Sequence, residues 1–271
     1  MSYQKKLKSH LVDYKLRHLG ISQPGVFLYR GREVWSHHIL PLADYHRNLF
    51  EEAKPAAMAF LKQNRGKRHR YFHHLNSSQA FAFNLFFPYF YGGPAAASAL
   101  LRVLGREGVL IKCEPEAVPD PDEESNIDML WVTEDGVQTL CEIKLSETDF
   151  GKVADDARHR KKFKDYYEDV LPAHLEPGRL DLLAFFDAYQ FNRNVWHMAR
   201  VEKSQLIFLL PKANVVLRMH LDELLVGVAP STRNRISAVC IEDVIAKLST
   251  DERCPTRLRQ YANKLKQKYV P

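Results

Sequence analysis

Apolar residues along the chain first repeat with helical spacing. Leu49, Ala53, Ala56, Ala57, Phe60 and Leu61 predict a helix over 45–64. Asn76 or Ser77 can cap a second helix that stops near Pro88, and residues 95–104 predict a third after the Gly92-Gly93-Pro94 break. The pattern then changes. Residues 109–114 read as a strand, and 115–124, with three prolines and several acids, as a loop. Two strands follow over 126–133 and 137–145, joined by Glu134-Asp135-Gly136. Helices are predicted over 150–170 and 180–200, then a strand over 205–210 that ends at Pro211. A short helix at 242–248 and a basic helix at the end complete the reading, while residues 1–35 are mixed and polar. The order helix, strand, strand, strand, helix, strand predicts an α/β fold with a mixed sheet flanked by helices.

The strand over 137–145 carries the most information. Successive side chains alternate faces, so Val137, Thr139, Cys141, Ile143 and Leu145 share one largely apolar face. Glu142 and Lys144 share the other, and Asp128 lies on the preceding strand. Charges on an interior sheet are costly unless they pair or hold a metal. On an exposed strand the same Glu142 and Lys144 would form only a weak surface pair.

Composition narrows the chemistry. The 271 residues are 45% hydrophobic, enough for one large domain or a core with an added lobe. No apolar run is long enough to span a bilayer, and no signal peptide is visible. Cysteines 113, 141, 240 and 254 form no C-x-x-C pair, which disfavours zinc and disulfides and fits a cytoplasmic setting. The net charge is +6 and the pI about 9.0. Basic residues gather at 65–70, 158–164 and 257–268. Each run alone reads equally as a solvated face; together they favour a polyanion partner.

Phosphodiester hydrolysis needs an activated water, a clamp on the phosphate and help for the leaving oxygen, and carboxylate-bound divalent ions supply all three. Asp128, Glu142 and the Ile143 carbonyl offer ligands of the kind magnesium takes, with Lys144 free to act on water or phosphate. Other candidates are weaker. Ser77 and Ser78 lack a G-x-S-x-G elbow. The pairs His37-His38 and His73-His74 point in divergent directions, so each gives at most one metal ligand easily. The aromatic stripe from Phe81 to Phe90 is dense enough to be core. A Walker-type glycine loop is absent.

Asp128 followed by Glu142-Ile143-Lys144 resembles the PD-(D/E)XK nuclease superfamily. The block His74-Leu-Asn-Ser-Ser-Gln-Ala80 with Asn84 and Pro88, and His38-Ile-Leu-Pro41, are similar to a bacterial subfamily of type II restriction endonucleases. The resemblance spans roughly residues 37–215. It implies a restriction-endonuclease-like αβββαβ core, dependence on Mg2+ (with Mn2+ as substitute) and cleavage of DNA. Asp128 and Glu142 are then the metal ligands and Lys144 the catalytic lysine.

Many members of that superfamily carry a further Glu on the first core helix. Here the corresponding positions offer Gln79 and Asn84, while Glu114 or Glu116 could supply the extra carboxylate. The proline before the first aspartate is also absent. Gln190 is expected to position water or phosphate, and His74 to hydrogen-bond near the site. Arg65, Lys67, Arg68, Arg70, Arg193 and the 158–164 run would contact the nucleic-acid backbone. The expected layout is a helical extension at 1–70, a nuclease core at 71–215 and an α/β appendage of the same domain at 216–271. Cleavage of both strands commonly needs two sites, which leaves room for a homodimer. The alternative is a catalytically silent nucleic-acid-binding protein that retains the fold.

Overall fold

The computed structural model describes all 271 residues. The chain opens with α1 (Tyr3–Leu19), the hairpin β1 (Gly25–Tyr29) and β2 (Arg32–Ser36), then α2 (Lys54–Gln63), α3 (Ser78–Phe90) and α4 (Pro94–Val103). Next come β3 (Leu110–Ala117), β4 (Ile127–Thr133), β5 (Gln138–Ile143), α5 (Ala157–Lys162), α6 (Leu182–Asp187), α7 (Tyr189–Ala199) and β6 (Ser204–Leu210). The chain ends with α8 (Val215–Val226), α9 (Pro230–Arg233), β7 (Ile236–Cys240), α10 (Ile241–Thr250) and α11 (Thr256–Tyr269). These residues form two compact units: Met1–Leu110 with Ile241–Pro271, and Ile111–Cys240.

The first unit is mainly helical, and α3 lies at its centre. Ser77 caps that helix by accepting from the Ala80 amide, and every α3 residue after Ser78 is buried. The helix does not stop before Pro88; it continues to Phe90. A proline there removes the hydrogen bond normally accepted by the Asn84 carbonyl. The Tyr261 hydroxyl supplies a replacement at 2.6 Å. The helix expected over 45–64 is instead a 3-10 turn, Leu42–Asn48, followed by α2. Side chains interrupt the helical ladder between them: Asn48 donates to the Phe72 and His74 carbonyls, and the Phe50 amide donates to Asn84.

The second unit holds a five-stranded mixed sheet flanked by helices, in the order β3-β4-β5-β6-β7. β4 and β5 are antiparallel, while β5–β6 and β6–β7 run parallel. The element order follows the expected αβββαβ plan, with β7 added at one edge. β5 is the middle strand, and its residues from Thr139 onward are buried on both faces. Phe208 of β6 packs against Phe150 and stacks on Phe191, joining the sheet to α7. The helix expected over 180–200 breaks at Ala188. There the first amides of α7 turn to the loop after β5: Tyr189 donates to Gly151 and Gln190 to Phe150. The segment expected as one helix over 150–170 is α5, capped by Asp156, continued by a π-turn at Phe163–Tyr167.

Candidate functional site

The β4–β5 register pairs Met129 with Cys141. One step along the same register sets Asp128 opposite Glu142, so both carboxylates share a face. Asp128 accepts from the Ile143 amide at 2.7 Å through Oδ2, which ties it to β5. Lys144 follows the end of β5, where its own amide donates to the Leu209 carbonyl of β6. Glu142 and Lys144 are each only 5% exposed. The Lys144 ammonium donates to Glu142 at 3.0 Å and to Gln190 at 2.5 Å.

α7 supplies a polar stripe to this group. Gln190, Arg193, Asn194 and His197 follow the spacing that puts side chains on one helix face, and Phe191, Val195 and Met198 fill the apolar face. Gly151 makes room for Gln190. Its φ is +76°, and an added Cβ would lie 2.5 Å from the Gln190 side chain.

Arg193 is buried, with its guanidinium on the Asn126 carbonyl and Asn194 Oδ1, and one nitrogen 3.8 Å from Glu142. This corrects the expectation that Arg193 meets a nucleic-acid backbone: it is buried and its donors are taken by the Asn126 carbonyl and Asn194. The 158–164 run is also largely spent on acids. Arg160 pairs with Asp155, Lys161 with Asp165 and Lys162 with buried Glu123. Lys268 of the terminal run is buried and donates to Asn48.

Of the two acids late in β3, the structure brings Glu116 to the group and not Glu114. Glu114 pairs with Lys112 at 3.1 Å in partial exposure. Glu116 is buried and accepts from the Asn126 side chain at 2.7 Å. Its φ of +50° is left-handed and breaks the strand's alternation at that residue. Such backbone is costly for a non-glycine residue and persists where the surroundings hold it. Asn126 thereby joins Glu116 to Arg193.

Sequence reasoning missed a second charged cluster beside the same helix. Glu123 is fully buried and accepts from Lys162 at 2.6 Å, from Tyr167 at 2.5 Å and from Ser125, with His197 Nε2 at 3.3 Å. It anchors the loop that leads through Asn126 into β4. The polar repeat at 190, 193, 194 and 197, within a helix otherwise fit for burial, was the signal available in the sequence.

The charges are unevenly compensated. Burial, with Glu142 and Glu116 close by, raises the Asp128 carboxyl well above the usual carboxylate range. For Glu142, burial opposes ionisation, but Lys144 and Arg193 outweigh it and hold the carboxyl below its ordinary value. For Lys144, burial works against the ammonium, but Glu142, Glu147 and Asp128 overcome it and the lysine stays charged. Asp128 and Glu142 are the side chains of this group that could hold a divalent cation. Asp128 Oδ1 takes no hydrogen bond from the protein, and Asp128 is partly exposed. No three His, Cys, Asp or Glu side chains converge as a ready-made ion site. Magnesium asks for only one or two carboxylates and fills its shell with water and substrate oxygens.

Of three residues expected to support the site, Asn84 and Gln79 spend their side-chain amides within the first unit, and His74 Nε2, a buried atom, has no hydrogen-bond partner. Asn84 accepts from the Phe50 amide and donates to the Asn48 carbonyl and the Tyr269 hydroxyl. Gln79 donates to the Lys67 carbonyl and accepts from the His69 amide. The His74 backbone bridges Ile39, and its ring lies against His73 and Phe27. Burial, with the neighbouring His73 and His38, lowers its pKa to about 3, so its imidazole is neutral. Arg65, Arg68 and Arg70 are exposed, and Lys67 is half-buried.

No helix is long and apolar enough to cross a membrane. No curated protein and no solved structure matches the chain. The family described as "Restriction Endonuclease associating with ARP" matches residues 8–270, nearly the whole sequence, so the chain belongs to this restriction-endonuclease family.

Proposed function

We propose that the protein is a metal-dependent nuclease that hydrolyses DNA phosphodiester bonds at Asp128, Glu142 and Lys144. The observation that carries this reading is a charged lysine held between Glu142 and Gln190 beside an under-compensated Asp128. Family membership supports nuclease-like chemistry.

Asp128 and Glu142, with the Ile143 carbonyl, would hold magnesium or manganese, and Glu116 takes the helper role expected of Glu114. A divalent cation there would lower the pKa of a bound water and offset charge on phosphate oxygens. Lys144 stays an ammonium, so its role is to donate hydrogen bonds to a phosphate oxygen or to orient the attacking water, not to remove the water's proton. Gln190 fixes the ammonium's direction. Arg193 holds Glu142 and Asn126 in place without touching substrate. Arg65, Lys67, Arg68 and Arg70 would meet the nucleic-acid backbone, and a homodimer would supply the two centres that double-strand cleavage needs.

One observation favours the second reading, a silent nucleic-acid-binding protein: without an ion, Glu142 is already neutralised by Lys144. Incubation of wild type and Lys144→Ala with plasmid and linear DNA, in magnesium, manganese or EDTA, separates the two. Metal-dependent cleavage lost in the variant supports the nuclease. Tight, salt-sensitive DNA binding by both proteins without cleavage supports the silent reading.

A further inference from the structure

The first unit contains a cavity of about 580 Å³ whose lining combines cations with an apolar floor. Lys62 of the last turn of α2, and Arg65 and Arg68 of the loop after it, contribute the charge. Met58 and Leu61 contribute aliphatic surface, and no acidic residue lines the cavity. The three cations are exposed and none forms an ion pair within the protein. Like charges gathered without a counter-ion repel one another, so folding alone does not favour this arrangement.

The cavity is also pre-built. Arg68 lies over the Tyr45 ring at 4.5 Å, a cation–π contact that holds the guanidinium at the cavity. Gln79, itself buried, grips the loop from beneath, donating to the Lys67 carbonyl at 2.6 Å and accepting from the His69 amide at 2.8 Å. The positions of Arg65 and Arg68 are thus paid for before any ligand arrives. Arg70 leaves the cavity and stacks on Tyr71 instead. Ligand sites commonly enclose roughly 300–1,000 Å³ and join apolar walls to a few placed polar groups.

We infer that Lys62, Arg65, Arg68 and Tyr45 form a binding pocket for a nucleoside monophosphate unit, whose phosphate meets the cations and whose base rests on Met58 and Leu61. A smooth duplex backbone would touch only the rim of such a cavity. A free mononucleotide or the phosphorylated end of a strand fills it. The inference deepens the polyanion part of the proposed function and rests on that part alone, not on the catalytic group in the second unit.

The test is calorimetric titration of the full chain with deoxyadenosine monophosphate, inorganic phosphate, and a short single-stranded oligonucleotide with or without a terminal phosphate. The mononucleotide should bind with marked salt sensitivity. Affinity should fall about tenfold in the Lys62→Gln/Arg65→Gln protein, where charge-assisted contacts are lost. Tyr45→Ala should also weaken it, whereas Tyr45→Phe, which keeps the ring under Arg68, should not. Tighter binding of the phosphorylated oligonucleotide than of the free nucleotide identifies a strand end; the reverse order identifies a free nucleotide. Equal affinity in wild type and the double variant overturns the pocket, as does the lack of saturable binding by either nucleotide source. Inorganic phosphate binding as tightly as the nucleotide overturns the nucleoside part and leaves a bare anion site. Duplex binding and cleavage measured alongside keep a failure here distinct from a failure of the nuclease reading, because metal-dependent cleavage without saturable nucleotide binding overturns the pocket alone.

Discussion

Gln190 Oε1 accepts a 2.5 Å hydrogen bond from the Lys144 ammonium, forty-six positions away in the chain. The lysine is thereby held on two sides, by an amide oxygen and by Glu142. Lys144→Ala should lower the single-turnover cleavage rate by about 10²–10³, the usual cost of losing one group that stabilises transition-state charge. Gln190→Ala should cost about tenfold, because the ammonium remains but loses its direction. Lys144→Arg should not rescue, since a planar fork cannot replace a compact point charge between two close acceptors. The double alanine variant should be no worse than Lys144→Ala alone. Additive losses would show that Gln190 acts on substrate rather than through the lysine.

Gly151 tests the same contact from the backbone. Its positive φ would strain any L side chain, and a Cβ would collide with Gln190. Gly151→Ala should lower stability by about 1–2 kcal/mol in urea denaturation. It should also reproduce the rate loss of Gln190→Ala. A destabilised variant with an unaltered rate would dissociate Gln190 from catalysis.

Asp128 leads to an opposite expectation for stability. Its carboxyl is raised by burial and by Glu142 and Glu116, so the folded protein binds that proton more tightly than the unfolded chain does. The associated stability is present below the unfolded pKa of about 3.9 and is lost as pH rises through the raised folded value. Asp128→Asn keeps an oxygen for the Ile143 amide and removes the charge. In metal-free buffer it should be more stable than wild type near neutral pH, by about 1 kcal/mol, a gain typical of relieving a functional compromise. The difference should shrink as pH falls. Manganese should raise the melting temperature of wild type and not of the variant, because only the folded wild type binds the ion. A variant less stable than wild type at neutral pH in EDTA would refute this account of Asp128.

Much of the second unit was legible because its signals are local. The strands β4 and β5 bracket a Glu-Asp-Gly turn, and the period of two sets Glu142 and Lys144 on one face. What lay beyond the sequence depends on distant partners. Nothing in β3 alone separates Glu114 from Glu116; the left-handed backbone at Glu116 and its bond to Asn126 decide it. Pro88 reads as a stop because its missing N–H is visible in sequence, whereas Tyr261, which satisfies the orphaned carbonyl, lies far along the chain. Arg193 reads as a surface cation until Glu142 and Asn126 surround it. The segments 1–35 and 215–240 carry weak periodicity, and α1, the β1–β2 hairpin, α8 and β7 went unpredicted there.

Glu123 gives the fold its own pH dependence, independent of catalysis. Burial opposes its ionisation, but hydrogen bonds from His197, Lys162, Ser125 and Tyr167 prevail and hold the carboxyl far below the usual range. A depressed folded pKa means that its contribution is present above the unfolded value of about 4.3 and is lost as pH falls through the folded value. Glu123→Gln leaves Lys162 and Tyr167 without their carboxylate. It should destabilise the protein by about 3 kcal/mol at neutral pH, the scale for breaking a buried ion pair by removing one partner. Wild type and variant should converge as pH drops below about 4, where the wild-type advantage drains away. Urea unfolding across that range measures both values. Because Glu123 anchors the loop that carries Asn126, the neutral-pH loss should come with faster amide hydrogen exchange over 118–126. A gap between the two proteins that stays constant with pH would mean that the carboxylate's shape, and not its charge, holds the loop.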